Sequence, residues 1–385
     1  MKGKKKYIII TPYFPSESSH VGSYIYDQAK TIDSSENFAV KVVKVVSFFS
    51  KESDYHFKGI EVSVFKVLDF PFFILPGSFN SLNSIRIRRF FKNKGFIDNL
   101  DVVHGHISYP CAYLVNAISS MLDVRTIVQH HSLDPLQLMN CRFNAIKKFQ
   151  YHFIKNRSLR QINKVGLNVS VSNKVSSVLY DYKDYHPSNE YVLYNGVDRT
   201  KFYNMDVSRD STNYILGCVA NFWPIKDHIN LIKAIELLVR EGIDDIYLRL
   251  IGTGETLYFC QKFVEKNNLE EHIFFELERS HNQMNIFYNE IDLFVLPSYF
   301  EAYGCVLMEA WATETPTISI RGQGFSELIP NDARDYLLAD ARSPASLKEK
   351  IFEQYQNRQS HPFDYKYDIN NTIFEFLKQP FFHEK

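Results

Sequence analysis

The stretch Leu293-Phe-Val-Leu-Pro297-Ser-Tyr-Phe-Glu301-Ala-Tyr-Gly304-Cys305-Val-Leu-Met-Glu309-Ala decides how the rest of the chain is read. It opens with an apolar run of strand type, passes through a loop containing Gly304, and continues from Cys305 as an apolar helix. A strand feeding a helix through a glycine loop is the building unit of a parallel α/β sheet. The helix start offers unpaired backbone N–H groups and the positive end of a dipole, a seat suited to a diphosphate. Glu301 and Glu309 flank that start. Read as helix throughout, the eight residues from one to the other rise about 12 Å. That is of the order of the span of a nucleotide-sugar from ribose to hexose, so the two carboxylates suit its two ends. A carboxylate set in Val-Leu-Met-Glu309-Ala-Trp also needs a partner, because burying it alone is costly.

Working outward, the same alternation fills the chain. Strands are expected at Lys6–Thr11, Val40–Phe49, Val102–His104, Thr126–Gln129 and Leu167–Val171. Helices are expected at Tyr24–Ile32, Ile85–Lys94, Ala112–Leu122 and Phe143–Ile162. Residues 201–213 are polar with little periodicity and read as a linker. The alternation then restarts with strands at Ile215–Ala220, Tyr247–Ile251, Ile273–Phe275, Leu293–Leu296 and Thr317–Ile320. Between them lie helical patterns at His228–Val239, Leu257–Asn267, Asn282–Tyr288 and Cys305–Ala312. The expected division is an acceptor-side domain over 1–200, a linker over 201–213, a nucleotide-binding domain over 214–360, and a segment over 361–385 that packs back on the first domain. A chain of 385 residues is long enough for two such cores.

Composition narrows the classes. The five cysteines are odd in number, widely spaced and without a C-x-x-C pair, which argues against a disulfide framework or zinc site and for a reducing, cytoplasmic compartment. No apolar stretch is long enough to span a bilayer, and the chain leads from Met1 straight into a strand rather than a signal-peptide core. Net charge is zero, but residues 1–200 hold 26 Lys/Arg against 16 Asp/Glu and the remainder 18 against 28. Basic residues concentrate between Asp134 and Asp181 and again at Arg86, Arg88, Arg89, Lys92 and Lys94, which follow Phe70-Pro-Phe-Phe-Ile-Leu-Pro. Basic residues mixed with Phe, Tyr and Leu suit an anionic lipid surface; the alternative is a solvated helix face. Nucleic acid is not expected, because no reading motif accompanies the charge.

The motifs Glu301-x7-Glu309, Pro316, Gly324, Glu327, Asn195-Gly196-Val197-Asp198, Gly252-Thr-Gly254 and Val219-Ala-Asn221-Phe-Trp-Pro-Ile-Lys226 together resemble glycosyltransferase family 4. The resemblance covers nearly the whole chain and is most specific from Asn195 to Glu327. It implies the GT-B fold, with two Rossmann-like domains facing a central cleft, and a retaining, metal-independent transfer of a sugar from a nucleotide donor. By the same resemblance Glu309 holds the ribose hydroxyls, Glu301 lies by the donor sugar and phosphates, and Lys226 neutralises the diphosphate. Gly22, Asn221, Gly252, Gly254, Gly304 and Cys305 join the donor site. His131, which follows His130 after a strand, matches the histidine that contacts donor sugar or orients acceptor, and His106 matches a strand-end acceptor-side histidine. Lys226, Glu301 and His131 are therefore the expected catalytic residues.

Lys226 has a physical warrant of its own: a departing nucleoside diphosphate develops negative charge, and a fixed cation stabilises it strongly. With no Asp-x-Asp motif to tie a metal, a lysine and a helix start take that role, and no cofactor is expected. Three positions depart from the family. Asn221, Phe222 and Trp223 stand where an arginine often precedes the lysine, so the phosphate charge is either less fully compensated or met by a residue elsewhere such as Arg279 or Arg321; Leu277 stands for a strand-end glycine; and Gly22-Ser23 stands for a glycine pair. The implied mechanism is a same-face displacement through an oxocarbenium-like transition state, in which the leaving phosphate oxygen takes the acceptor proton.

The same resemblance implies a UDP-hexose donor, with a GDP-sugar next. The acceptor is a glycan or lipid-linked sugar of a surface polysaccharide or lipopolysaccharide, met at the inner membrane face. The competing classes are a non-catalytic GT-B partner protein, a sugar-nucleotide epimerase or phosphorylase of related fold, and a nicotinamide or flavin enzyme. Gly252-Thr-Gly254 lacks the third glycine of a dinucleotide fingerprint, which weighs against the last.

Overall fold

The computed structural model describes residues 4–70, 74–141, 145–207, 212–359 and 361–383, which form two compact units. The first comprises Met1–Asn195 with Ile369–Lys385, and the second Gly196–Asp368.

In the first unit eight strands form one sheet in the order β3-β4-β2-β1-β5-β6-β7-β8. They are β1 (Lys5–Thr11), β2 (Phe38–Ser47), β3 (Tyr55–Phe57), β4 (Ile60–Val67), β5 (Leu100–His106), β6 (Arg125–His130), β7 (Leu167–Ser170) and β8 (Glu190–Val192). All neighbours are parallel except the β3–β4 hairpin. The helices are α1 (Ser23–Ser34), α2 (Asn80–Asn93), α3 (Tyr113–Ser119), α4 (Lys147–Ile162) and α5 (Asn173–Tyr180). The residues Tyr7-Ile-Ile-Ile10 explain why β1 is central: Tyr7 and Ile9 join the core on one face of the sheet, Ile8 and Ile10 the core on the other. A strand buried on both faces reads as a continuous apolar run, not an alternation.

The second unit carries a six-stranded parallel sheet in the order β11-β10-β9-β12-β13-β14. The strands are β9 (Tyr214–Val219), β10 (Ile246–Ile251), β11 (Ile273–Glu276), β12 (Leu293–Val295), β13 (Thr317–Ile320) and β14 (Leu338–Ala339). Its helices are α6 (His228–Arg240), α7 (Leu257–Lys266), α8 (His281–Glu290), α9 (Cys305–Ala312), α10 (Arg334–Leu337) and α11 (Pro344–Asn357). In α6 the buried residues Leu231, Ile232, Ala234, Ile235 and Leu238 form one apolar face at helical spacing.

Both sheets reverse strand order at one point, between β1 and β5 in the first unit and between β9 and β12 in the second. In open α/β sheets ligands gather beyond the carboxyl ends of the strands at such a switch point. Loops leaving β9 and β12 are those that carry Lys226 and Glu301. Loops leaving β1 and β5 are those that carry Gly22 and follow His106.

Several boundaries differ from the sequence reading. The expected linker over 201–213 is anchored to the second unit, because Phe202 is buried and the backbone N–H groups of Tyr203 and Met205 donate to Asn285 and Asn289 of α8; residues 208–211 of it lie outside the described residues. The C-terminal segment begins at Ile369 and not at 361. Residues before it stay with the second unit, where Trp311 packs on His361, Phe363 and Tyr367. From Ile369 a last helix, α12 (Ile369–Leu377), sends Ile369, Ile373 and Phe376 into the first unit's core. Among the described residues no helix is long and apolar enough to cross a membrane.

Candidate functional site

The second unit concentrates the predicted chemistry at its switch point. After β9 the chain runs Ala220-Asn221-Phe222-Trp223 into a short turn over Pro224–Lys226, and α6 begins at His228. After β12 it runs through Pro297–Gly304 into α9. The two loops touch where the Tyr299 N–H donates to the Ile225 carbonyl at 3.2 Å. Lys226 donates from Nζ to Glu301 Oε2, joining the expected phosphate cation to the expected sugar-side carboxylate. Gln323 and Gly324, just beyond β13, clamp Glu301 from the other side. The Glu301 N–H donates to Gln323 Oε1 at 2.9 Å, and the Gly324 N–H donates to the Glu301 carbonyl at 3.1 Å.

Gly304 precedes α9 at φ 85°, a left-handed conformation that favours glycine, and this sharp turn presents the helix start beside Glu301. Cys305 is the first helical residue and is partly exposed. The two carboxylates are not joined by the continuous helix that the sequence suggests. Glu301 to Gly304 is loop, so only the four steps from Cys305 to Glu309 rise helically, about 6 Å. Glu309 does find the partner its apolar setting demands: the phenol of Tyr288, on α8, donates to Oε2 at 2.8 Å. Tyr288 is fully buried, and burial followed by the Glu309 charge pushes its pKa well above the ordinary tyrosine value. It therefore remains a neutral donor.

The Gly252-Thr-Gly254 loop after β10 has a supporting task. A side-chain carbon on Gly252, at φ 144°, would lie 2.1 Å from the Ala220 carbonyl oxygen. The bare backbone lets this loop lie against the Lys226 loop, where the Phe222 N–H donates to Thr253 O at 2.8 Å and Thr256 Oγ1 donates to Phe222 O at 2.9 Å. Phe222 is buried and stacks on His228 at 3.9 Å, whose imidazole is pushed down to about 4, by burial first and Lys226 second. Asn221 is exposed at the loop's start.

Neither arginine expected to supply the missing charge is unencumbered. Arg279 pairs with Glu276 and Glu290, and Arg321 with Asp340. Sequence reading missed Arg342, whose guanidinium lies 3.9 Å from the centre of the Tyr299 ring, next to the Lys226–Glu301 loops. Asp227, which follows Lys226, has its carboxyl pushed up by burial, with Asn230 and then Arg342 partly offsetting it. Arg342 lies just past β14 with no motif around it, so nothing in the sequence singles it out. Leu277 is exposed beyond β11.

In the first unit, His106 ends β5 and His131 follows β6. His106 Nδ1 and His131 Nε2 are 2.8 Å apart, and the two rings stack with centroids 5.0 Å apart. Tyr24 of α1 lies against His131 at 5.0 Å. Burial pushes His131 down to about 3 and His106 well below the ordinary histidine value, so both imidazoles are neutral at physiological pH. His130 points elsewhere: its Nε2 pairs with Asn168 at 3.0 Å in the interior, the behaviour of a packed histidine. Gly22 immediately precedes α1 and packs on the Tyr13 backbone of its own loop.

These two halves, each with its site at a sheet switch point, match known proteins along nearly the whole chain. Residues 21–201 match Glycosyltransferase Family 4, and residues 202–367 match Glycosyl transferases group 1. The chain belongs to this glycosyltransferase family. An uncharacterized glycosyltransferase of Methanocaldococcus jannaschii is 28% identical over 263 residues, 68% of this chain and 67% of its own. The O-antigen chain mannosyltransferase of Salmonella typhimurium is 28% identical over 255 residues, 63% of this chain and 69% of its own. Among solved structures, Anabaena HepE in complex with UDP-glucose superposes with a TM-score of 0.65 at 15% identity, covering 98% of this chain and 95% of that one. The fold is thus that of the GT-B glycosyltransferases, and the chain is a glycosyltransferase.

Proposed function

We propose that this enzyme transfers a hexose, with retention and without a metal, from a UDP-sugar to a glycan or lipid-linked acceptor. The observation that carries the reading is the convergence of Lys226, Glu301 and the start of α9 at one switch point, with Glu309 held by Tyr288 one helical turn on. Lys226 and the α9 start supply the positive charge that a departing diphosphate requires. Glu309 offers acceptor oxygens to the ribose hydroxyls. Before the donor binds, Glu301 engages Lys226; the diphosphate takes over that ammonium, and Glu301 turns to the sugar. His131 contacts the donor sugar or orients the acceptor. The acceptor hydroxyl attacks from the face the leaving group departs, and its proton passes to the leaving phosphate oxygen. A UDP-sugar is favoured over a GDP-sugar; UDP-glucose is the ligand of the Anabaena relative, and the Salmonella relative is a mannosyltransferase.

The acceptor is met at the cytoplasmic face of an anionic membrane. On α2 the exposed residues Leu82, Ile85, Arg89 and Lys92 fall on one helical face. Phe48 and Phe49, the latter 81% exposed, follow β2, and Arg86 lies 5.7 Å from the Phe48 ring. On α4, Lys147, Lys148 and Phe149 are exposed together. Arg88 and Lys94 do not belong to this surface: Arg88 donates to Ala117 O and Ser120 Oγ, and Lys94 pairs with Asp54. Arg142 and residues 71–73 lie outside the described residues. Vesicles containing phosphatidylglycerol should retain the protein at low salt and lose it in Ile85→Glu/Phe49→Glu; no retention by such vesicles would remove the membrane from the reading.

The first test is thermal stability with UDP, GDP, ADP and NAD. A ligand at 100 times its dissociation constant stabilises by about 2.7 kcal/mol. A shift with one nucleoside diphosphate, abolished in Glu309→Ala, is expected. No shift with any diphosphate would remove the donor-site assignment. A shift without turnover against any acceptor would favour the non-catalytic partner, and turnover without an acceptor the epimerase or phosphorylase. Unchanged rates in EDTA and an α-product from an α-donor, read by NMR, test metal independence and retention.

A further inference from the structure

A column of buried aromatic polar groups runs along one face of the first unit's sheet. Tyr7 Oη is 2.7 Å from His104 Nδ1; His104 stacks on His106 at 4.4 Å; and His106 bonds to His131 at 2.8 Å. Strand periodicity places His104 and His106 on the same face of β5, beside Gln129 of β6, which accepts from Gln28 of α1 at 3.1 Å. The imidazoles stack and do not converge, and among the described residues they form no group able to hold a metal.

The loops that follow His106 and His131 are also stitched together. Ser108 Oγ donates to Pro135 O at 2.5 Å, the Tyr109 N–H donates to Gln137 Oε1 at 3.2 Å, and the Ile107 N–H donates to Gln129 O at 2.8 Å. Ile107 itself sits at φ 75°, ψ 152°, a region costly for a β-branched residue. Such strain persists only where the surroundings over-determine it. Here it falls on the residue immediately after His106.

We infer that His106 is a positioning residue for His131, fixing the ring plane and the tautomer of that histidine through the bond between His106 Nδ1 and His131 Nε2. The inference rests on the reading that His131 meets the substrates. Two neutral imidazoles joined in this way share one proton between them, so the tautomer of one dictates that of the other. His131 then has one ring nitrogen committed to His106 and keeps Nδ1, buried and without a partner in the chain, as its unspent hydrogen-bonding atom. Burial of the pair, with His104 stacked behind it, disfavours a cation on any of the three rings. The substrate would thus meet an imidazole of defined orientation and protonation.

The test compares His106→Asn, which keeps a hydrogen-bonding group near the Nδ1 position, with His106→Phe, which keeps only the ring. Two-bond proton–nitrogen NMR spectra of the full chain report the His131 tautomer without any substrate. The native protein and His106→Asn should each show one neutral tautomer, and His106→Phe a mixture. In parallel, transfer from UDP-glucose, UDP-galactose, UDP-N-acetylglucosamine and GDP-mannose is assayed. With whichever donor turns over, His106→Phe should lower kcat about tenfold or more at unchanged donor KM, with substantial rescue in His106→Asn. An unaltered His131 tautomer in folded His106→Phe, or equal loss in both variants, overturns the inference. If His131→Ala leaves turnover intact, the reading of His131 has failed. If His131→Ala is impaired and His106→Phe is not, the reading stands and the positioning role falls.

Discussion

The Tyr288 phenol donates to Glu309 across 2.8 Å, from a ring fully buried between Phe202 and Phe294. A hydrogen bond to a charged group contributes about 1.5–3 kcal/mol. Tyr288→Phe keeps the packing and removes only the hydroxyl. It should weaken UDP binding about tenfold by calorimetry, with kcat changed less than KM. Wild-type UDP affinity in this variant would show that Glu309 is held by other contacts.

Lys226 and Glu301 neutralise each other before any donor is present. Glu301→Gln removes that competitor, so free UDP should bind more tightly while turnover falls. Lys226→Ala should lose both affinity and rate. If Glu301→Gln weakens UDP binding as much as Lys226→Ala does, the exchange of partners is wrong.

Gly252 has no room for a side chain: it sits at φ 144°, and an added Cβ would lie 2.1 Å from the Ala220 carbonyl oxygen. Backbone in this region is nearly restricted to glycine and costs about 1–3 kcal/mol per strained residue. Gly252→Ala should lower the urea midpoint accordingly and also weaken nucleotide binding, because the loop it supports carries Lys226. Gly242→Ala controls for positive φ alone: Gly242 sits at φ 88°, but nothing lies within 4 Å of its added carbon, so Gly252→Ala should cost more than Gly242→Ala. Equal midpoints for Gly252→Ala and wild type would remove the bracing role.

Acid should destabilise the first unit before carboxylates titrate. Burial holds His104 and His131 near 3 and His130 near 4, and His106 well below the ordinary value. The unfolded chain then binds more protons than the folded one below about pH 6.5. The stabilisation is complete above that pH and is lost as pH falls toward 3. Each fully differential proton changes stability by about 1.4 kcal/mol per pH unit. Denaturant midpoints between pH 7.5 and 5 should fall accordingly, and less steeply in His104→Phe; a flat profile would mean that the column is hydrated.

Much of this protein was legible along the chain. Cys305–Ala312 and Thr317–Ile320 are helix and strand over the residues the sequence reading assigned. These elements announce themselves because apolar period and glycine turns are local properties. Elements that pair at the rim, such as β3 and β8, carry little apolar signal and are not evident from the sequence alone, nor are α5 and α11. The segment expected as a linker belongs to the second unit because its order comes from partners distant in sequence: Phe202 packs on Tyr288, and the Tyr203 and Met205 N–H groups donate to Asn285 and Asn289.

By itself the sequence determined that strands and helices alternate, that two sheets result, that Lys226, Glu301, His106 and His131 stand at strand or helix ends, and that Glu309 lies within the helix after Gly304. Tertiary structure alone decided which of those ends meet. Lys226 reaches Glu301 across 75 residues because β9 and β12 are neighbours in the sheet although β10 and β11 lie between them in the chain. His106 reaches His131 for the same reason, since parallel strands bring distant carboxyl ends side by side, whereas Tyr288 reaches Glu309 because α8 and α9 pack against each other. No local pattern encodes that order. It follows from how the helices bury their apolar faces against both sides of each sheet.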